Sequence, residues 1–292
     1  MIIGRLKGGL GNQMFQYAVL RALSLKYKKK IYLDLESVKC TQLETDSFTP
    51  RGFSLNIFKI KASPLPNFFR YILKLRTVLK RIIPVHFNLF LNNYNDNSDF
   101  NVIKYPAYLD GYFQSENYFK EFRQQMLDDF SLKFPLGKDN EILLEDIIKH
   151  QSISLHFRRG DYVDKPQVAL YHGVCSSEYY KIAMDYFRGE VTSSVFYIFT
   201  DDPIWVKNNF INLYPFYKMI LVNINQGVDS WKDMYLMSKC KHNIIANSSF
   251  SWWGAWLNQN PDKIVIAPKQ WFADPYVNSK SNNLIPASWV KI

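Results

Sequence analysis

Residues 152–163 read SISLHFRRGDYV. Apolar Ile153, Leu155 and Phe157 alternate with Ser152, Ser154 and His156, which is the period of a β-strand. The strand runs straight into Arg158, Arg159, Gly160 and Asp161. Charge at a strand end is costly to bury unless it is paired. These groups therefore either satisfy one another or await a charged ligand.

Toward the C-terminus the same arrangement recurs. VFYIFT is a strand that ends in Asp201, Asp202 and Pro203. KMILVNI is a strand, HNIIA is a strand that ends in Asn247, Ser248 and Ser249, and KIVIAP is the last strand expected. Between them SSEYYKIAMDYF, capped by Ser176 or Ser177, SWKDMYLMSKC and FSWWGAWLNQN have helical spacing, the last stopped by Pro261. Such alternation predicts a parallel sheet with helices on both faces. Ligands of such sheets bind beyond the carboxyl ends of the strands, and all three polar clusters fall there.

Toward the N-terminus, IIGRL, the turn KGGLGNQ, the helix MFQYAVLRALSLKY and the strand IYLDL make a βαβ unit. Further on, EFRQQMLDDF and EILLEDIIKH read as helices. A junction just before the focal strand divides the chain into domains 1–150 and 151–292.

The net charge is +10, which by itself points to nucleic acid. The charge is concentrated, however. Residues 47–95 hold Arg51, Lys59, Lys61, Arg70, Lys74, Arg76, Lys80 and Arg81 and no Asp or Glu. One segment thus explains the balance, and a nucleic-acid partner is not expected. Within it a basic amphipathic helix is expected near 67–83. Phe68, Ile72, Leu75, Leu79, Ile82 and Ile83 share one face; Arg70, Lys74, Lys80 and Arg81 share the other. It is either a foot on an anionic membrane surface or a surface helix packed on its own domain. No apolar run approaches the ~18–20 residues of a spanning helix, and no signal-type start precedes the first strand. A cytoplasmic protein is expected, with peripheral contact to the inner face of the membrane if the helix is a foot. Cys40, Cys175 and Cys240 lie far apart, so neither a metal spacing nor a disulfide framework is read from them.

Each cluster has its chemistry. Gly8, Gly9 and Gly11 let backbone approach a ligand, and Asn12 opens the following helix. The turn lacks the G-x-G-x-x-G and P-loop patterns, so a tight turn is the competing reading. Arg158 shares a parity with His156 and is the candidate phosphate ligand, because guanidinium binds phosphate bidentately. Arg159 points the other way and is expected to pair with a carboxylate. Asp161 is a base or a brace for Arg159. His156 is a ligand contact or a core histidine. Asp201 and Asp202 hold a ribose or a base, or cap the helix at Pro203. The Asp-x-Asp spacing of metal-dependent sugar transfer is absent. Ser248, Ser249 and Phe250 open a helix, whose free N–H groups make an anion site. Trp253 and Trp256 are assigned to the core.

The stretches GGLGNQMFQYA, LDGYFQSENYF, HFRRGDYV, FYIFTDD and NSSFSWWGAWLN together resemble the α-1,2-fucosyltransferases of glycosyltransferase family 11. They occur in the family's order between residues near 8 and 258. The resemblance implies a GT-B-like α/β fold with two Rossmann-like domains facing across a cleft, the first on the acceptor side and the second binding GDP-fucose. It implies inverting transfer of L-fucose from GDP-β-L-fucose to the 2-hydroxyl of a galactoside in a surface glycan such as O-antigen, with no metal and no cofactor. The partner would be a galactose-terminated oligosaccharide, with or without a lipid carrier. By motif, Arg158 would hold the β-phosphate and His156 would sit beside the donor. Ser248, Ser249 and Phe250 would bind phosphate, and Asp201 or Asp202 would read guanine or ribose. Gly11 and Asn12 would reach the diphosphate, and Asp161 is the candidate base. The competing functions are a GDP-fucose-dependent transferase of different acceptor or linkage, and a carbohydrate-binding protein without turnover.

Overall fold

The computed structural model describes residues 1–39, 52–73, 91–96, 98–191 and 193–292. They form two compact units, one from the described residues of 1–133 and the other from those of 134–292. The division falls between Lys133 and Phe134, earlier than the 150/151 junction expected. The physical reason is that the helix Lys138–Lys149 packs on the sheet of the second unit.

In the first unit, β1 (Ile2–Arg5) leads through a glycine-rich loop into α1 (Leu10–Tyr27) and returns as β2 (Ile31–Asp34). β3 (Ser63–Pro64), the helical residues 67–73 (α2), β4 (Asn92–Tyr94), β5 (Ala107–Leu109) and α3 (Arg123–Asp129) come next. All strands run parallel in the order β3-β2-β1-β5-β4. α1 buries Met14, Phe15, Tyr17, Ala18 and Leu20, so it is apolar over most of its circumference, as a helix lying on a sheet must be. α3 is tied to α1 by Asp129, which is 1% exposed. Its Oδ2 accepts from Tyr17 Oη at 2.6 Å and from Arg21 Nε at 2.7 Å.

α2 corrects the expected amphipathic face. Phe69 and Leu73 pack against buried Ile3, Leu65 and Leu91, whereas Phe68 is left exposed. The remainder of the basic helix, with Lys74, Leu75, Arg76, Leu79, Lys80, Arg81, Ile82 and Ile83, lies outside the described residues.

In the second unit the elements are α4 (Lys138–Lys149), β6 (Gln151–Phe157), α5 (Gly160–Asp164), α6 (Pro166–His172), α7 (Ser177–Glu190) and β7 (Ser194–Thr200). They continue with α8 (Pro203–Asn209), β8 (Met219–Val222), α9 (Trp231–Met237), β9 (His242–Ile244), α10 (Ser249–Leu257), β10 (Val265–Ala267), α11 (Pro275–Ser279) and β11 (Val290–Lys291). β11 extends the sheet past the strand expected to be last. All strands are parallel, in the order β11-β10-β9-β6-β7-β8. Counted from β6, this is the Rossmann order 3-2-1-4-5-6, whose chain reverses direction between its first and fourth strands. Here those are β6 and β9.

The alternation in β6 does not mark a wet face, because both faces are buried, as parallel sheets require. Ile153, Leu155 and Phe157 enter an apolar core with Tyr180, Phe187, Phe196 and Phe210. The other face is polar and hydrogen-bonded toward its middle: Asn243 Nδ2 donates to Ser154 Oγ at 2.7 Å, and Asn258 Nδ2 donates to Asn243 Oδ1 at 2.8 Å.

Candidate functional site

The carboxyl end of β6 carries a cluster of paired charges. Arg158 Nη1 pairs with Asp201 Oδ2 at 2.6 Å, and its Nη2 with Asp161 Oδ1. Burial opposes the charge of Arg158, but Asp201 and Asp161 outweigh it and the net shift of its pKa is upward. Arg159 turns to the opposite side, as strand parity predicts. Its Nε donates to Asp202 Oδ2 at 3.2 Å, and its guanidinium lies 3.5 Å from the centre of the Trp205 ring, a cation–π geometry.

Asp201 and Asp202 divide the work between them. Asp201 Oδ1 accepts the Arg159 N–H at 2.8 Å while Oδ2 holds Arg158. Asp202 caps α8, accepting the Trp205 N–H at 3.1 Å. Gly160 is forced by this arrangement: a Cβ there would lie 2.8 Å from Asp201 Oδ2. Where the sequence indicates a turn, Gly160 begins α5, and Asp161 is brought back onto Arg158, three residues earlier. Asp161 thus braces Arg158, not Arg159.

His156 is buried. Burial, reinforced by the charge of Arg158, pushes its pKa down to about 3, so the ring is neutral at physiological pH. Its Nδ1 is enclosed and has no hydrogen-bond partner among the described residues. The ring lies 5.7 Å from that of Phe250, which joins the start of α10 to the cluster. Ser248 is the N-cap of α10, its Oγ accepting the Phe250 N–H at 3.3 Å, and Ser249 is the first helical residue. Asn247 Nδ2 donates to the carbonyls of His172, Gly173 and Trp271. It ties down the segment after α6. Trp252, Trp253 and Trp256 are buried in the core.

Three further residues carry no role in the sequence reading. Tyr162 and His172 stack with ring centres 4.5 Å apart and planes 11° apart, and the Arg158 guanidinium lies 5.3 Å from the Tyr162 ring centre. Burial pushes the Tyr162 phenol up to about 12 and the His172 imidazole down to about 4. His172 Nδ1 is a second buried nitrogen without a partner among the described residues. The third is Asp233 of α9. Burial pushes its carboxyl up to about 7, opposed by a hydrogen bond from Asn225. Asn225 Nδ2 donates to Asp233 Oδ1 at 2.7 Å, and Asn140 shares the network. Tyr162 sits inside the focal motif and could have been found there. His172 and Asp233 carry no local signal, because their burial depends on elements distant in sequence.

Gly11 and Asn12 belong to the first unit. α1 begins at Leu10 with Gly9 as its N-cap, so Asn12 does not open the helix. Its Oδ1 accepts from Gln114 Nε2 at 2.8 Å. Gly8 has φ +75, and a Cβ there would meet Asn12 Nδ2 at 2.6 Å. The loop is braced by buried Gln13, which donates to the carbonyls of Gly8 and Gly52, and by Gln16, which bonds both backbone groups of Lys7. Gly11 is buried within α1.

Two parallel α/β sheets, the second in Rossmann order with an arginine at its reversal point, define a GT-B-like fold. It is similar to that of Arabidopsis thaliana FUT1 solved in complex with GDP, at a TM-score of 0.51 and 12% identity, covering 90% of this chain and 69% of that one. The chain belongs to glycosyl transferase family 11, whose sequence model matches residues 54–292. It is 35% identical to the O-antigen biosynthesis glycosyltransferase WbnK of Escherichia coli, covering 98% of this chain and 99% of that protein. It is 33% identical to an alpha-1,2-colitosyltransferase of Escherichia coli, covering 100% and 99%.

Proposed function

We propose that the chain transfers L-fucose from GDP-β-L-fucose, with inversion, to the 2-hydroxyl of a galactoside in a surface glycan such as O-antigen. The observation that carries this reading is Arg158, fixed at the carboxyl end of β6 by two carboxylates, beside the reversal point where ligands of such sheets bind. A guanidinium has five N–H donors, so a diphosphate can be met without releasing both braces. Arg158 then offsets the charge that grows on the departing GDP, and the N–H groups opening α10 at Ser248, Ser249 and Phe250 add to it. Neutral His156 offers its unpaired Nδ1 to the donor. Asp201 and Asp202 lie just past the second strand of this sheet, where a Rossmann arrangement sets a carboxylate against a ribose. Asp161 either takes the acceptor proton or acts only through Arg158. No metal ion is required by this scheme.

The colitosyltransferase relative supports a second reading, in which the donor sugar is colitose. Release of GDP from GDP-fucose and GDP-colitose across a panel of galactosides separates the two, and NMR of the product gives the linkage. Arg158→Ala should lower turnover by on the order of a thousandfold, and Arg158→Lys, which keeps the charge but not the planar fork, by at least about tenfold. Near-normal activity of Arg158→Ala would remove the basis of the reading.

A further inference from the structure

At the other end of β2 from its carboxyl loop, the first unit carries a recess of about 670 Å³. Ser24, Lys28, Lys29, Lys30, Tyr32 and Lys61 are among the residues that line it, and no acidic residue does. None of the four lysines forms an ion pair among the described residues. Lys29 only reaches over the Tyr105 ring at 5.5 Å. Lysines at the end of a helix are favoured by its dipole, which accounts for part of the Lys28–Lys30 run after α1. It does not account for Lys61, which arrives from the segment before β3. Four lysines on one recess with no acidic side chain in its lining make a local positive patch, which attracts anions.

A second observation stands beside the recess. On α2, Phe69 and Leu73 turn inward to the cluster of Ile3, Leu65 and Leu91, against which Tyr32 also packs. Tyr32 therefore connects α2 to the recess. The outward residues are Phe68 and Tyr71, 68% and 67% exposed, with Arg70 between them in sequence. Exposed aromatic rings next to basic side chains are the composition of a surface that lies in a membrane interface.

We propose that the recess lined by Lys28, Lys29, Lys30 and Lys61 seats phosphate groups of an anionic lipid surface, with Phe68 and Tyr71 entering the interfacial layer beside it. The lysines supply the attraction to charge, and the rings supply the preference for lipid over other polyanions. This face would hold the enzyme where lipid-borne glycans are presented. It is independent of which sugar is transferred, and its failure would leave the transferase reading intact.

The test is co-sedimentation of the full chain with vesicles of phosphatidylcholine alone and of phosphatidylcholine mixed with phosphatidylglycerol. The wild type should bind the mixed vesicles and not the neutral ones. Lys28→Glu/Lys30→Glu/Lys61→Glu should weaken binding by about a hundredfold, at about 1 kcal/mol per basic residue. Phe68→Ser/Tyr71→Ser should weaken it several-fold without changing the affinity for a single-stranded RNA oligonucleotide. Both variants should keep the wild-type melting temperature and turnover on a soluble acceptor. Absence of wild-type binding, binding insensitive to the lysine reversals, or displacement by millimolar inorganic phosphate alone would overturn the proposal. So would an RNA affinity matching that for the mixed vesicles while the Phe68 and Tyr71 changes leave vesicle binding untouched.

Discussion

Arg158 is held on two sides by carboxylates. A guanidinium fixed in this way does not have to be reoriented when a diphosphate arrives, and preorganised charge of this kind is effective in catalysis. Asp161 sits on Arg158, and on the reading proposed above it acts through that contact. Asp161→Asn should then lower kcat by about tenfold and keep the acid limb of the pH–rate profile, as checked by steady-state kinetics between acid and neutral pH. A drop of several hundredfold with loss of that limb would make Asp161 the base. Asp233 gives a different kind of prediction. Its carboxyl is raised from 3.8 to about 7 in the fold. The folded state therefore favours the protonated form, and stability is lost as pH rises from near 4 through 7. Asp233→Asn keeps an acceptor for Asn225 and has no charge to bury. Its melting temperature should match wild type near pH 4 and exceed it at pH 8, by on the order of 2–4 kcal/mol of stability. At this scale, strand parity made the division between Arg158 and Arg159 legible. The partner of Asp161 was not, because it depends on a five-residue helix where the sequence indicates only a glycine turn.

At the level of elements, the long helices and the seven-residue strands were legible because each repeats its period several times. β3, β4 and β11 are two or three residues long, too short to show any period. α5 and α6 escape for a related reason: their first residues, Gly160 and Pro166, and Gly173 just after α6 read as loop punctuation. The pairing of α1 with α3 was also hidden, since Asp129 in LDDF looks like a solvated acid. In the structure it is buried between Tyr17 and Arg21. Asp129→Ala would leave Arg21 charged, largely enclosed and unpaired. It should cost about 3–5 kcal/mol, measured as a fall in the urea midpoint with an unchanged slope.

Across the whole molecule, the doubly wound character of the second unit was legible from strand–helix alternation. Its strand order was not, since pairing partners leave no mark on the local sequence. That order brings the carboxyl ends of β6 and β9 together, and with them Arg158 and the start of α10. The boundary between units moved for a similar reason: α4 looks like the last element of the first unit but packs on the sheet of the second. A ligand bound to the second unit in this way should stabilise it. GDP at a hundred times its Kd should add about 2.7 kcal/mol and raise the melting temperature by a few degrees, and Arg158→Ala should erase the shift in a calorimetric scan.

The helix that begins at Ser249 also carries Trp252, Trp253 and Trp256 in mutual contact. Trp252 and Trp256 lie with nearly parallel planes, ring centres 6.2 Å apart, and Trp253 meets Trp252 edge-on at 5.1 Å. Indoles this close share their electronic excitations. The chain thus contains a chromophore array on the same nine-residue helix whose first turn we propose for phosphate. Circular dichroism can therefore follow the packing of that helix without any added dye.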